Sequence, residues 1–248
     1  MSTSIVQRLA SLVESRGEVA DVRVGTHWTL VVVQQVGRRR GGLASTQFAH
    51  CASHGEPAVR EAGRLIGQPA ARLLSWMEST SPTERSLGFA TLNALLPVDE
   101  ARCQPLNAET LILERGRGKH VAIVGHFPFV PSVREAAAVT SVLELAPGPD
   151  DLPADAAPQI IPNADVVAIT GMSLVNGTFE ALAALCRPDA FVVLLGATTP
   201  LTESFFEYGV DAVSGTVVDD IGLVSSAVSQ GANFRQIAGK RLLTMLRP

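Results

Sequence analysis

Residues 121–131 read VAIVGHFPFVP, and the fold class follows from how this stretch is interpreted. Val121, Ala122, Ile123 and Val124 form the continuous apolar run expected of a strand buried on both faces of a parallel sheet. Gly125 permits a tight turn at its end. In a nucleotide-binding sheet that turn is rich in glycine, and its backbone N–H groups cradle a pyrophosphate. Here Pro128 and Pro131 remove two donors and stiffen the loop. The turn instead offers Phe127 and Phe129 as aromatic faces and His126 as one imidazole, which suits a flat or conjugated ligand better than phosphate. The plainer account puts both phenylalanines in the core and bonds His126 to backbone.

From Lys119 onward, strands and helices alternate. HVAIVG is followed by a predicted helix over 131–138, then by VTSVLEL, a proline- and aspartate-rich loop over 147–158, and ADVVAITG. A helix near 176–186 leads to AFVVLLGA, a short helix near 200–207, VDAVSG and a helix over 220–230. Apolar runs separated by helices predict a mainly parallel, doubly covered α/β sheet. The first half has a different grammar. A helical stripe over 4–15 precedes three strands, EVADVRVG, WTLVVVQQV and GLAST, and three helical segments follow over 58–67, 69–80 and 81–97. Ser81 before Pro82 is a cap and first-turn pair. This half reads as an α+β domain. Arg38, Arg39 and Arg40 read as a solvated hairpin loop, and 97–118 as an irregular connection. The expected domains are 1–108 and 109–248.

Composition narrows the function. The 248 residues carry a formal charge of −4, 46% hydrophobic and 18% charged residues, which opposes nucleic-acid binding. Three scattered cysteines, Cys51, Cys103 and Cys186, fit reduced thiols and not a disulfide frame. The first residues lack the pattern of a signal peptide, and no run is long enough to span a membrane. The expectation is a cytoplasmic protein with no nucleic-acid or membrane partner. Lysine occurs only at Lys119 and Lys240, so a Walker-type loop is absent and a pyridoxal Schiff base is disfavoured. Tyr208 has no lysine four residues on, which excludes the usual short-chain dehydrogenase pair. No tightly bound cofactor is evident.

In parallel sheets, ligands bind beyond the carboxyl ends of the strands. Glu144 ends the second strand 19 positions after Gly125, near the spacing at which nucleotide binders place an acid on a ribose. Thr170, Gly171, Ser173, Asn176 and Thr178 crowd the loop after the third strand, with Asn176 and Thr178 as natural helix caps. After the fourth strand, Thr199 and Pro200 fit a cap and first turn, leaving Thr198 for a ligand. Asp219 and Asp220 read as cap and dipole partners of the last helix. In the first half, Glu84 and Asn93 lie nine apart on one helix and are candidates to face a groove; Glu84 equally suits the helix's positive end. His50, Cys51 and His54 have metal-like spacing but lack a clear fourth ligand.

The motifs GHFPF, TGMSLVNGT, GATTPLTESFFEYGVD and SPTERSLGFATLNALL together resemble the heavy-metal-chelation family. Its threonine–proline turn stands here as Gly196-Ala197-Thr198-Thr199-Pro200, with Ala197 where relatives often hold proline. The resemblance implies an enolase N-terminal-like domain followed by a Rossmann-like domain. It implies small-molecule handling at a cleft between them, directed at a flavin-, pterin- or siderophore-like chelator. The enolase-like half implies no enolase chemistry. Three readings stay open: an enzyme modifying such a metabolite, a non-catalytic metal-chelate binder, and an atypical methyltransferase-like nucleotide-binding enzyme. In the first, His126 is the acid/base, because imidazole titrates near neutrality, and Glu84 or Glu144 is the second titrating group. Gly125, Phe127, Phe129, Glu144, Thr170, Gly171, Asn176, Thr198, Thr199, Pro200 and Asn93 would line the ligand. Metal is expected to arrive on a small-molecule chelator, completed at most by His126, and homo-oligomerisation is left open.

Overall fold

The computed structural model describes residues 4–48 and 57–248, so the His50, Cys51 and His54 spacing lies outside the described residues. The chain divides into two compact units, 1–98 with 216–241, and 99–215 with 242–248.

The first unit opens with α1 (Ile5–Ser11), capped by the Ser4 hydroxyl, which accepts from the Gln7 N–H. β1 (Glu18–Val24), β2 (Trp28–Gln35) and β3 (Arg38–Ser45) form an antiparallel sheet with β2 central. Leu30 to Val33 of β2 are all buried. The hairpin between β2 and β3 turns at Val36 and Gly37, and Gly37 sits at φ +71°. The expected solvated loop at Arg38–Arg40 is therefore the start of β3. Arg40 is half-buried, and its guanidinium donates to the carbonyls of Leu95, at 3.3 Å, and Leu96. Burial, joined by the charge of Arg38, lowers its pKa.

Helix α2 (Ala70–Leu74) runs into a short 3-10 turn, and α3 (Pro82–Leu95) follows with Ser81 as its cap and Pro82 in its first turn. The helix expected over 58–67 does not form. Glu61, Gly63 and Gly67 adopt left-handed backbone there, at φ +57°, +87° and +81°, and only turns result. Helix α3 lies on β3 at backbone distance. A Cβ on Gly42 would stand 2.1 Å from the Ala90 carbonyl oxygen and 2.2 Å from the Ala94 nitrogen.

The second unit contains β4 (Cys103–Gln104) and α4 (Ala108–Gly116), both inside the stretch expected to be irregular. Asn107 caps α4 through its side chain. Then come β5 (His120–Val124), α5 (Val130–Ala136), β6 (Val139–Glu144), β7 (Leu152–Pro153), α6 (Ala157–Ile160), β8 (Val166–Thr170), α7 (Met172–Asn176), α8 (Phe179–Leu185) and β9 (Phe191–Leu195). β10 (Ala212–Val218) carries the chain out of this unit, α9 (Ile221–Ser229) follows, and β11 (Lys240–Leu246) brings it back. The eight strands lie in the order β4-β11-β10-β9-β8-β5-β6-β7, and the run from β10 to β7 is parallel throughout. The expected mixture of an α+β half and a mainly parallel α/β half thus appears as a three-stranded antiparallel sheet and a separate, mostly parallel eight-stranded one. No helix among the described residues is long and apolar enough to cross a membrane.

The segment 216–241 falls with the first unit, whereas the sequence reading places it with the second half. Packing explains the assignment. Gly25 approaches so closely that an added Cβ would lie 2.3 Å from the Val228 carbonyl oxygen, and the Trp28 and Phe234 rings are 5.1 Å apart. Asp220 caps α9 by accepting from the Leu223 N–H at 2.9 Å, while Asp219 pairs with Arg241 at 2.7 Å.

Gly42→Ala forces backbone apart on both sides of the α3–β3 contact and is expected to cost about 3 kcal/mol or more. Gly37→Ala meets no atom within 4 Å and pays only for its positive φ, about 1 kcal/mol. Urea unfolding of the two variants against the wild type checks the difference.

Candidate functional site

The strand order reverses between β5 and β8. From β5 the chain proceeds to β6 and β7 on one side, then returns to pair β8 with the other edge of β5 and continues to β9 and β10. The loops after β5 and β8 flank the point of reversal, and three glycines let them close up. Gly125, at φ +100°, leaves room for Thr170, whose Cβ would lie 3.0 Å from an added Cβ. Gly171 admits Thr199, whose Oγ1 would stand 2.5 Å from a Cβ there. Gly215 in β10 admits the Thr199 carbonyl, at 2.6 Å from its would-be Cβ. Residues 125, 170, 171 and 199 are thereby gathered at one edge.

Thr199 and Pro200 do not start the expected helix. The helix is a 3-10 segment, Glu203–Tyr208, and Thr202 caps it by accepting from the Ser204 N–H. Thr199 is 2% exposed, and its hydroxyl has no hydrogen-bond partner among the described residues. Thr198 is also buried and donates to the Met172 sulfur at 3.7 Å. Asn176 ends α7 where it was expected to begin a helix, because Gly177 at φ +71° stops α7 and Thr178 occupies the cap position of α8. The Ser173 hydroxyl donates to the Thr170 carbonyl at 2.7 Å, and the Thr170 hydroxyl accepts from the Met172 N–H at 3.3 Å. Glu144 is half-buried at the end of β6, where one carboxylate oxygen accepts from the Leu145 N–H at 3.1 Å.

The turn after β5 separates its residues. Phe129 is buried in the core of the sheet, and Phe127 is half-buried against the same core. Their rings stack on each other, 5.1 Å apart and 10° from parallel. The His126 side chain points outward, 54% exposed, and its Nδ1 lies 3.1 Å from Oδ2 of Asp151. The Asp151 side chain is only 7% exposed. Its Oδ2 also accepts from the Gly148 N–H at 3.2 Å, and its Oδ1 faces Arg134 at 3.5 Å. Arg134 donates to the Asp150 carbonyl at 2.9 Å, which ties α5 to the 147–151 loop. The sequence does not mark Asp151 and Arg134 as partners of His126. The only trace in the sequence is a pair of aspartates in a proline-rich loop.

In the first unit, Asn93 donates to the Leu43 carbonyl at 2.8 Å and fastens α3 to β3. Glu84 is 1% exposed. Its carboxylate accepts from the Arg60 backbone N–H, from Nε and Nη2 of the Arg60 side chain, and from the Ser79 hydroxyl. Burial alone would raise its pKa. Hydrogen bonds from Arg60 and Ser79 outweigh this and hold the carboxyl below its usual range.

Among the described residues no group of three or more histidine, cysteine or acidic side chains is placed to hold a metal. Burial pushes the Cys186 thiol up to about 11, with Asp211 adding to the shift, and burial also raises Cys103. Neither offers a ready thiolate at neutral pH.

A family profile described as "Putative heavy-metal chelation", DUF364, matches residues 107–247, more than half of the chain. The chain belongs to the DUF364 family. A second profile of the same description, DUF4213, matches residues 6–96. Uncharacterized protein MJ0500 of Methanocaldococcus jannaschii is 24% identical over 227 residues, spanning 88% of this chain and 86% of that one. A crystal structure of a DUF364 protein of unknown function from Desulfitobacterium hafniense superposes with a TM-score of 0.78 at 24% identity, covering 98% of this chain and 97% of the other. Another, from Pyrococcus horikoshii, gives 0.80 at 20% identity and covers 98% of each. Membership in DUF364 agrees with the resemblance drawn from the motifs, and the structural likeness establishes the fold.

Because the folded pKa of Glu84 lies below its unfolded value near 4.5, its stabilising contribution is complete above pH 4.5 and is lost as pH falls through the folded value. Glu84→Gln is expected to cost about 1–3 kcal/mol at pH 7, and the gap to wild type should close in acid. Urea unfolding at pH 7, 5 and 3.5 measures this; a gap constant with pH would refute it.

Proposed function

We propose that the strand-end crevice of the parallel sheet binds a small, polar, flat molecule that chelates metal, of flavin, pterin or siderophore type. The reversal of strand order between β5 and β8 carries this reading, because a crevice forms where crossovers leave a sheet edge in opposite directions. The order β7-β6-β5-β8-β9-β10 supports reading the sheet as Rossmann-like, and the first unit as the enolase N-terminal-like partner that the family resemblance implies. Thr170 and Asn176, both half-buried, supply neutral polar groups at the edge, and Glu144 a carboxylate. Such a lining suits heteroatom-rich rings better than a triphosphate.

The methyltransferase-like reading is weaker. It needs N–H donors after β5, where Pro128 and Pro131 stand, and a free acid after β6, where Glu144 is turned to its own backbone. Glu84 and Asn93 act in this proposal as structural anchors of the first unit. Hydrogen bonds from Arg60 and Ser79 leave the Glu84 carboxylate a poor proton acceptor, and Asn93 is tied to the Leu43 carbonyl. Catalysis and carriage share the same crevice and differ in turnover.

Native mass spectrometry of protein purified without chelators is expected to show a retained small molecule. Calorimetry should give micromolar or tighter binding to at least one flavin, pterin or hydroxamate siderophore, and none to S-adenosylmethionine. Asn176→Ala should weaken the binding about tenfold, the loss of roughly one hydrogen bond to a polar ligand. Failure of every compound to bind, with no retained mass, would overturn the proposal.

A further inference from the structure

We infer that Asp151 and Arg134 fix His126 as a one-imidazole anchor for a transition-metal ion that arrives in a chelate with an open coordination position. This rests on the chelate-binding reading of the same sheet edge. The observation behind it is separate: an exposed imidazole backed by a buried carboxylate that is itself held from two other sides.

A carboxylate only accepts hydrogen bonds, so the short contact to Asp151 places the neutral ring's proton on Nδ1. The Nε2 lone pair is then left on the opposite side of the ring from Asp151, in a side chain that is 54% exposed. A carboxylate behind the non-ligating nitrogen of histidine is the usual outer-shell arrangement of metal-binding imidazoles, where it fixes orientation and raises basicity. Asp151 is well placed for that task. The Gly148 N–H and the Arg134 guanidinium hold it, and Arg134 is anchored in turn on Asp150. Burying a carboxylate costs free energy, and a solvent-facing loop histidine needs no such support to fold.

The rest of the described chain explains why the ligand set would be incomplete without a chelator. No cluster of three or more ligating side chains exists among the described residues. His120 has both ring nitrogens engaged, Nδ1 by the Asn163 carbonyl at 3.2 Å and Nε2 by the Ser141 hydroxyl at 3.0 Å. One imidazole gives weak affinity for a free ion. It becomes selective when the chelate supplies the remaining donors and is itself bound by the crevice. The class recognised is thus a chelate of a borderline metal such as nickel, cobalt, copper or zinc, which favours nitrogen ligands.

The probe is cobalt(II) nitrilotriacetate, which leaves two positions open, titrated into the full chain and followed by its visible absorption and by paramagnetic proton NMR. The wild type is expected to shift the cobalt bands and to show one exchangeable, strongly shifted Nδ1–H resonance. His126→Ala should abolish both. Asp151→Asn, close in shape, should weaken binding about 10–100-fold, and Asp151→Ala should also let the shifted N–H exchange with solvent. Both Asp151 variants should unfold within a few degrees of wild type, separating positioning from loss of structure. Binding by His126→Ala equal to wild type would overturn the anchor. Loss in His126→Ala with no effect of either Asp151 variant would overturn the role of the carboxylate. Retention of metal-free siderophore or pterin by His126→Ala, with cobalt binding unchanged, would sink this inference while leaving the crevice reading intact. Failure of the wild type to bind any of these compounds removes both.

Discussion

The contact between Gly171 and Thr199 sets the geometry of the parallel sheet's edge. With no side chain at 171, the Thr199 hydroxyl and backbone nitrogen occupy the space a Cβ would need. The loop after β9 is thereby drawn over the end of β8, and its other side is received by Gly215 in β10. A strand-end loop normally stands off from its neighbours. Here the loops of three adjacent strands are pressed to backbone distance, and the residues they carry have little freedom. The buried Thr199 hydroxyl, with no partner among the described residues, is the cost of that closeness.

The carboxylates of Glu84 and Asp151 are both shielded from solvent and face an arginine, and the contrast between them separates scaffold from candidate chemistry. Glu84 is saturated: four donors from Arg60 and Ser79 converge on its two oxygens, and the net effect depresses its pKa despite burial. Of its hydrogen-bond partners, only the Arg60 side chain is largely exposed. Asp151 instead meets the Gly148 N–H and an exposed imidazole at Oδ2, with Arg134 beside Oδ1. The first arrangement closes a network. The second transmits a fixed orientation to a group that solvent can reach.

How far the sequence revealed this depended on the range of each interaction. β5, β6, β8, β9 and β10 were legible because a doubly buried strand must be apolar along its whole length. β11 was not, since it starts with Lys240 and Arg241 and buries only its far end. α4 was hidden behind charged residues, and its Asn107 cap passed for loop composition. The 58–67 segment has helical spacing, yet Arg60 is drawn to Glu84, 24 residues away, and Glu61 takes a left-handed conformation. Local propensity lost to a tertiary contact. The same limit applies to the site. His126 could be suspected from its place after a strand. Asp151 lies 25 positions on, and no periodicity links the two.

The path of the chain adds a further constraint. Each compact unit is discontinuous, because β10 leads out to α9 and β11 leads back. Neither unit is complete until almost the whole chain exists. Without 216–241 the surface at Gly25 and Trp28 lacks Val228 and Phe234, and without β11 the β10 edge and the Thr244 hydroxyl bond to Ser214 are missing. Contacts of such separation slow folding, since loop closure must precede the burial that rewards it. They also make the two units interdependent through the covalent path of the chain. A helix-and-strand excursion inserted between two adjacent strands has to form in both places for either sheet to be finished. The glycines at 25 and 215 serve that requirement, each removing a side chain where the returning or departing chain must pass at backbone distance.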